Sequence, residues 1–356
     1  MISKLDNALL SLVRLGIGHQ GDVLLKDIDW HVLYTQSNRH GLAAIVLDGI
    51  EQLPESQRPP KAMLLSWIGS TLIQYEQRYS LYRKGIASLS AFYRENGYKM
   101  MVLKGYACSL DWPKPEHRPC GDIDIWQFGE QETADDALRQ SGVKIDKSHH
   151  HHTVFTWKGF MVENHYDFIN VYAHKSSREI EKIFKELGGD DSYFFEVCGE
   201  KVYVPSPNLH ALFLIRHLIS HFAAAEITLR QVLDWAFFVE KHTKEVDWEW
   251  LMEVLEKYHM KAFINCINAI CVEDLVFSLS IFPAIQSCSY LKEKVLDDIL
   301  NPEYTTAEPK RLLARLIYKY RRWQGNAWKQ KMCYGESRWS AFVCGIWAKL
   351  LKPKSI

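Results

Sequence analysis

None of the eight cysteines, at 108, 120, 198, 266, 271, 288, 333 and 344, forms a Cys-x-x-Cys pair, so the spacing that a zinc ribbon or a dithiol redox site needs is missing. Buried free thiols are the expected reading, which suits a reducing cytoplasm. No uninterrupted apolar run reaches the roughly 18 residues that spanning a bilayer requires. The N-terminus, Met1-Ile2-Ser3-Lys4-Leu5-Asp6, lacks the basic, apolar, then small-residue order of a signal peptide. Net charge is also missing. Lys and Arg number 43 against 43 Asp and Glu, which removes any global electrostatic reason for nucleic-acid binding and leaves basic surface as a local matter. Repeats and low-complexity segments are absent. What the chain does have is apolar bulk: 356 residues, 47% hydrophobic and 13% aromatic, enough for two or three compact units with buried cores.

The stretch around which the chain is organised is Val102-Leu103-Lys104-Gly105, followed after a loop by Arg118-Pro119-Cys120-Gly121-Asp122-Ile123-Asp124-Ile125-Trp126. Asp122 and Asp124 sit in an alternating run, and residues i and i+2 of a strand face one side, so both carboxylates project together. Adjacent acids raise each other's proton affinity, so the pair is costly unless a cation neutralises it. Mg²⁺, or Mn²⁺ in its place, suits such oxygen ligands and leaves room for water and substrate phosphates. Upstream, Lys104-Gly105 ends a short strand, Lys99 to Leu103; the glycine lets a phosphate approach the backbone and the lysine adds positive charge. Downstream, the strand Phe160 to Phe168 contains Val162-Glu163-Asn164-His165, with Glu163 and His165 on one face and Glu163 as a third acid.

Together, Leu-Lys-Gly, Arg, Gly-Asp-Ile-Asp-Ile and Val-Glu-x-His resemble the uncharacterised bacterial nucleotidyltransferase family of the polymerase-β-like superfamily, over about residues 100 to 240. The resemblance implies an α+β fold: a polymerase-β-like nucleotidyltransferase mixed sheet with helices, flanked by N-terminal and C-terminal helical regions. It also implies metal-dependent transfer of an NMP from an NTP to an unidentified acceptor hydroxyl. Asp122, Asp124 and Glu163 would be catalytic and hold the metal, while Lys104, Gly105, Arg118 and His165 would meet the nucleotide. Arg118→Ala is then expected to weaken nucleotide more than metal. Asp122→Asn or Asp124→Asn is expected to leave stability equal or higher, because repulsion is relieved. Two departures stand out: the superfamily's Gly-Gly or Gly-Ser pair is Gly105-Tyr106 here, and sixteen residues separate Gly105 from Asp122. The alternative they leave open is a non-catalytic nucleotide-binding or partner-regulating protein, membrane-associated and linked to polysaccharide assembly.

The rest of the chain divides by pattern. Residues 1–98 form a helical N-terminal region, 99–205 the α/β domain, 206–308 a helical domain and 309–356 a basic aromatic segment. Residues 3 to 53 read as helices, broken near Gly41. From Lys61 to Tyr98 one long helix is expected, with a seam of Ile68, Leu72, Tyr75, Tyr79, Tyr82, Ile86, Leu89 and Tyr93 at heptad spacing. His152 to Trp157 pairs with the Phe160 strand across Lys158-Gly159, and a second hairpin turns at Gly199-Glu200. Helices on one side of the sheet are expected. The run His149 to His152 has three explanations, namely transition-metal binding, phosphate contact or a polar strand edge, of which the edge is preferred and the resemblance keeps a substrate role open.

His217 and His221 stand at i, i+4, but Leu218 occupies the place of a metalloprotease glutamate. Arg230 and Asp234 are also four apart, and by themselves are an ordinary helical ion pair contributing about 0.3–0.5 kcal/mol. The resemblance implies more, because these histidines and then Arg230 and Asp234 would line the far wall of a nucleotide cleft. From Lys310 onward there are twelve Lys or Arg against one acid, Glu336, with tryptophans interleaved. Such a segment packs on the acidic remainder of the chain, binds nucleic acid or lies on an anionic membrane. Packing needs least, whereas a helix at Arg338 to Lys354 would make peripheral contact with a membrane face.

Overall fold

The computed structural model describes residues 3–337 except 22, 24, 26, 284, 286, 287 and 306. Three helices come first: α1 (Lys4–Gly16), α2 (Trp30–Arg39) and α3 (Ala43–Glu51). Ser3 and Asp6 cap α1 reciprocally, each side chain accepting from the other's amide. Next, α4 (Lys61–Thr71) and α5 (Arg78–Glu95) run on from each other through a π-helical segment, Leu72–Gln77. The wider turn rotates the apolar seam. Ile68 and Leu72, expected on that seam, are therefore exposed, while Tyr75, Tyr79, Tyr82, Ile86, Leu89 and Tyr93 are buried.

The α/β unit runs β1 (Met101–Val102), α6 (Tyr106–Ser109), β2 (Ile123–Trp126), α7 (Gln131–Gln140), β3 (His152–Trp157), β4 (Phe160–His165), α8 (Ser177–Leu187), β5 (Phe194–Val197) and β6 (Glu200–Tyr203). These strands form one six-stranded mixed sheet in the order β3-β4-β2-β1-β6-β5. Within it β2 is parallel to β4 and antiparallel to β1, and β1 is parallel to β6. Both hairpins turn on two residues at positive φ, Lys158-Gly159 and Cys198-Gly199, the twist that two-residue loops favour. The second turn thus falls one residue earlier than the sequence pattern placed it. β4 stops at His165, three residues short of the expected end, because the Phe168 and Ile169 amides donate to the Glu181 carboxylate of α8 instead of to a strand.

Helices make up the remainder: α9 (Pro207–Ala224), α10 (Leu229–His242), α11 (Trp248–Lys257), α12 (Lys261–Glu273), α13 (Ser289–Leu300), α14 (Leu312–Gly325) and α15 (Ala327–Tyr334). Alternation in the sheet feeds two cores. Val102, Ile123, Ile125, Phe155 and Val162 pack with the tyrosines of α5 and with Ala134 and Leu138 of α7. Met101, Leu103 and Trp126, on the opposite face, join a core that runs through α9 to α13 and on to α1 and α3. Helices therefore cover both faces, where one-sided cover was expected, because α9 is apolar around most of its circumference and packs on α8, α10 and α15 in one core with Met101, Leu103 and Trp126. Asp124 and Glu163 share this second face, so the candidate site lies between sheet and C-terminal helices.

Part of the basic segment packs on its own chain. Lys329 is buried and its ammonium donates to Asp298 at 2.6 Å and to the Ala225 carbonyl at 2.9 Å. By contrast, Leu312, Leu313, Leu316, Ile317 and Tyr320 of α14 are exposed. No helix among the described residues is long and apolar enough to cross a membrane. The helix expected at Arg338 to Lys354 lies outside the described residues.

Candidate active site

β1 ends in a turn at Gly105, whose φ of 61° and ψ of −97° belong to a region that glycine alone enters freely. A Cβ there would also lie 2.9 Å from the Tyr82 hydroxyl oxygen. That hydroxyl donates to the Asp122 carbonyl at 2.6 Å, so α5 holds the chain just ahead of β2. Asp122 sits one residue before the strand rather than in it, and Asp124 sits within it. In the β2/β4 register, Asp124 is directly opposite Glu163 and Trp126 is opposite His165. Direct partners in neighbouring strands share a face, which brings Asp124, Glu163 and His165 together.

Asp124 Oδ1 accepts from Lys104 Nζ at 2.9 Å and lies 3.2 Å from His165 Nε2. Asp124 Oδ2 is buried and has no hydrogen-bond partner. His165 is also 3.8 Å from Glu163, and His152 is 3.7 Å from it. Burial pushes Asp122 up, and the charge of Asp124 adds to it. Burial followed by Asp124 does the same to Glu163. Asp124 goes the other way: burial opposes its ionisation, but the Lys104 ammonium and the His165 bond outweigh it and hold the carboxyl below the usual range. Three carboxylates thus face one lysine. The Lys104 ammonium, expected at a phosphate, is engaged by Asp124.

Across a cavity of about 340 Å³ stand Leu214, His217, Leu218 and His221 of α9 and Arg230, Gln231 and Asp234 of α10, facing Lys104, Gly105, Asp122 and Asp124. The His217 and His221 rings are 4.4 Å apart, edge to face. Arg118 also lines the cavity, but its guanidinium is buried in a two-pronged bond to Asp234, Nε to Oδ1 at 2.7 Å and Nη2 to Oδ2 at 2.9 Å. It was expected to neutralise phosphate, and that capacity is taken up. Arg230 is 3.5 Å from the same carboxylate, so two guanidiniums share one anion and the far wall keeps a surplus positive charge. Burial and then Arg118 lower the proton affinity of Arg230.

The long Gly105-to-Asp122 spacing has a structural explanation. The loop is clasped to α3, where Asp48 accepts from Lys114 at 2.5 Å and from His117 Nδ1 at 2.6 Å, and to α10 through Arg118. Sequence reasoning missed this clasp and missed Tyr82. Tyr82 is one of four tyrosines in the seam, with nothing in the sequence to set it apart, and nothing local marked Asp48.

The fold and site define an α/β protein whose central strand presents acids to a cationic cleft wall. Residues 26–275 match the sequence model of the family described as uncharacterised nucleotidyltransferase, and the chain belongs to that family. No curated protein matches the chain. Among solved structures it is similar to an antigenic nucleotidyltransferase-like protein from Paracoccidioides brasiliensis, at 12% identity over 44% of this chain and 75% of that one, with a TM-score of 0.32.

Proposed function

We propose that this chain is a metal-dependent nucleotidyltransferase that moves an NMP from an NTP to an acceptor hydroxyl, releasing pyrophosphate. The observation that carries the reading is the buried, unpartnered Asp124 Oδ2, set among three carboxylates with one lysine between them. That donor set fits a hard divalent ion better than it fits no ion at all. Asp122, Asp124 and Glu163 would hold Mg²⁺ or Mn²⁺, which when bound supplies positive charge at the transferred phosphoryl group and a lowered pKa for a coordinated hydroxyl.

The chain's own groups do the rest. Arg230, with its unspent charge, binds the triphosphate from the far wall, and Lys104 meets it from the sheet side once the acids are otherwise neutralised. Gly105 leaves the backbone open to phosphate. His165 and Lys104 fix the Asp124 rotamer, and Tyr82 fixes the backbone of Asp122. Of the two sheet-side carboxylates lining the cavity, Asp124 is held by Lys104 and His165, which leaves Asp122, whose proton affinity is the higher, to take the acceptor's hydroxyl proton. The superfamily implied is polymerase-β-like, in a bacterial cytoplasm where NTP and Mg²⁺ are at hand. The exposed apolar face of α14 supports peripheral contact with the inner membrane face.

The test is to incubate the protein with each α-labelled NTP, Mg²⁺ or Mn²⁺ and a cell extract, following both pyrophosphate release and the labelled acceptor. Labelling that Asp124→Asn abolishes supports transfer. Nucleotide binding with no pyrophosphate from any extract replaces the enzyme with a nucleotide-binding regulator.

A further inference from the structure

His149 to His152 enter the edge strand β3, and a polar strand edge would turn these rings to solvent. Instead His150 and His152 are buried. The β3/β4 register sets His152 directly opposite His165. Ring centroids are 4.4 Å apart for His151 and His152, 5.2 Å for His152 and His165, and 5.5 Å for His151 and His165. One ring nitrogen from each of the three falls within 4.8 Å of the others. Nδ1 of His151 and Nδ1 of His152 are both buried with no hydrogen-bond partner, which is rare for buried polar atoms and calls for a ligand or a water. His165 Nδ1 lies 3.2 Å from the Asp167 carbonyl. Metal binding would set the tautomer that donates there and release the Nε2 bond to Asp124, so that Nε2 offers its lone pair, with Nδ1–H as the outer contact that orients a metal-binding imidazole.

We infer that His151, His152 and His165 bind a transition-metal ion of the Zn²⁺ or Co²⁺ type, at a position distinct from the oxygen-liganded ion of the proposed reaction. Imidazole ligands select such ions, whereas Mg²⁺ selects oxygen. Nitrogens about 2.0–2.1 Å from a tetrahedral ion stand roughly 3.4 Å apart, so small side-chain movements close the set. His165 belongs to both neighbourhoods, since it also touches Asp124, and it therefore links occupancy of the nitrogen site to the orientation of the carboxylate. The site needs no nucleotide.

The test uses the full chain, stripped with chelator and titrated with Co²⁺ without nucleotide or Mg²⁺. The inference expects a saturable visible band displaced by Zn²⁺. Replacing two ligands in His151→Asn/His152→Asn should weaken Co²⁺ by more than the roughly 10- to 100-fold that loss of a supporting partner costs. Asp122→Asn should keep wild-type Co²⁺ affinity while losing metal-dependent nucleotide binding, which separates this site from the transferase reading. X-ray absorption on Zn²⁺-loaded wild type should show the multiple-scattering pattern of about three imidazoles, a result independent of whether the variant folds. A zinc shell of oxygen alone, no Co²⁺ uptake by wild type, or equal Co²⁺ affinity in a folded double variant overturns the inference.

Discussion

Arg118 and Asp234 are 116 residues apart in sequence and meet in a buried two-pronged ion pair, at 2.7 and 2.9 Å, that fastens the loop before β2 to α10. Trp112 Nε1 donates to the same Asp234 Oδ1 at 2.9 Å. The pair closes one end of the cavity, which makes it an element of architecture before it is an element of chemistry.

Breaking that pair should unfold more than it inactivates. Asp234→Ala leaves Arg118 buried without its anion and should cost about 3–5 kcal/mol in urea unfolding. Arg118→Ala should cost a similar amount, in place of the selective loss of nucleotide affinity that the sequence led us to expect. Arg230→Ala should stay within about 0.5 kcal/mol of wild-type stability yet weaken NTP roughly 10- to 100-fold by calorimetry, the loss of one or two charge-assisted bonds. Equal stability effects at 118 and 230 would refute this division of roles.

The turn at Gly105 and the Tyr82 hydroxyl are coupled by contact. Gly105→Ala should lose about 1–3 kcal/mol through its backbone conformation and the close approach to Tyr82, and Tyr82→Phe about 1 kcal/mol through the bond to Asp122. In Gly105→Ala/Tyr82→Phe the close approach is gone. The double variant should therefore lose less than the two singles combined, and strict additivity in the cycle would contradict the geometry.

Metal-free stability should depend on pH through Glu163, whose proton affinity burial and then Asp124 raise from 4.5 to about 8. The folded state keeps this proton where the unfolded chain has lost it. Its contribution is therefore fully present below about pH 4.5, falls as pH rises toward 8 and is flat above that. Melting temperatures from pH 5 to 8.5 should show that fall, Glu163→Gln should flatten it, and saturating Mg²⁺ should flatten it by favouring the carboxylate. A slope unchanged by both would show that Glu163 titrates as an ordinary surface acid.

The exposed leucines of α14 should matter at a membrane. Co-sedimentation with anionic vesicles should weaken as salt rises and weaken further in Leu313→Glu/Leu316→Glu, with little change in unfolding because both side chains are already exposed. Binding equal to wild type in that variant removes the peripheral contact from the account.

Features that repeat locally were legible in the sequence. Glu163 and His165 could be placed on one face of their strand because alternation is local, and the first hairpin turn could be placed because Lys158-Gly159 is, whereas the β2/β4 register that sets Asp124 opposite Glu163 is not local. The π-helical segment at Leu72–Gln77 was hidden, since a heptad count through it continues smoothly while the buried face turns away from Ile68 and Leu72. Arg118 was misread for a different reason: a cation beside an acid motif looks unpaired until α10 brings Asp234 to it. The stability expectation for Asp124→Asn changes likewise. Repulsion alone favoured the variant, but Lys104 and His165 lose their anion in it, so Asp124→Asn should be less stable than wild type while Asp122→Asn should be equal or more stable.

The central claim is that crowded carboxylates make nucleotide binding depend on a divalent ion, and Asp122→Asn tests it most directly because that variant should keep the fold. Calorimetric titration of NTP into wild type should give measurable affinity with Mg²⁺ or Mn²⁺ and little without, and Asp122→Asn should show little under either condition at undiminished melting temperature. Equal affinity with and without metal, together with a wild-type response from Asp122→Asn, would mean that Asp122 and Asp124 hold no ion.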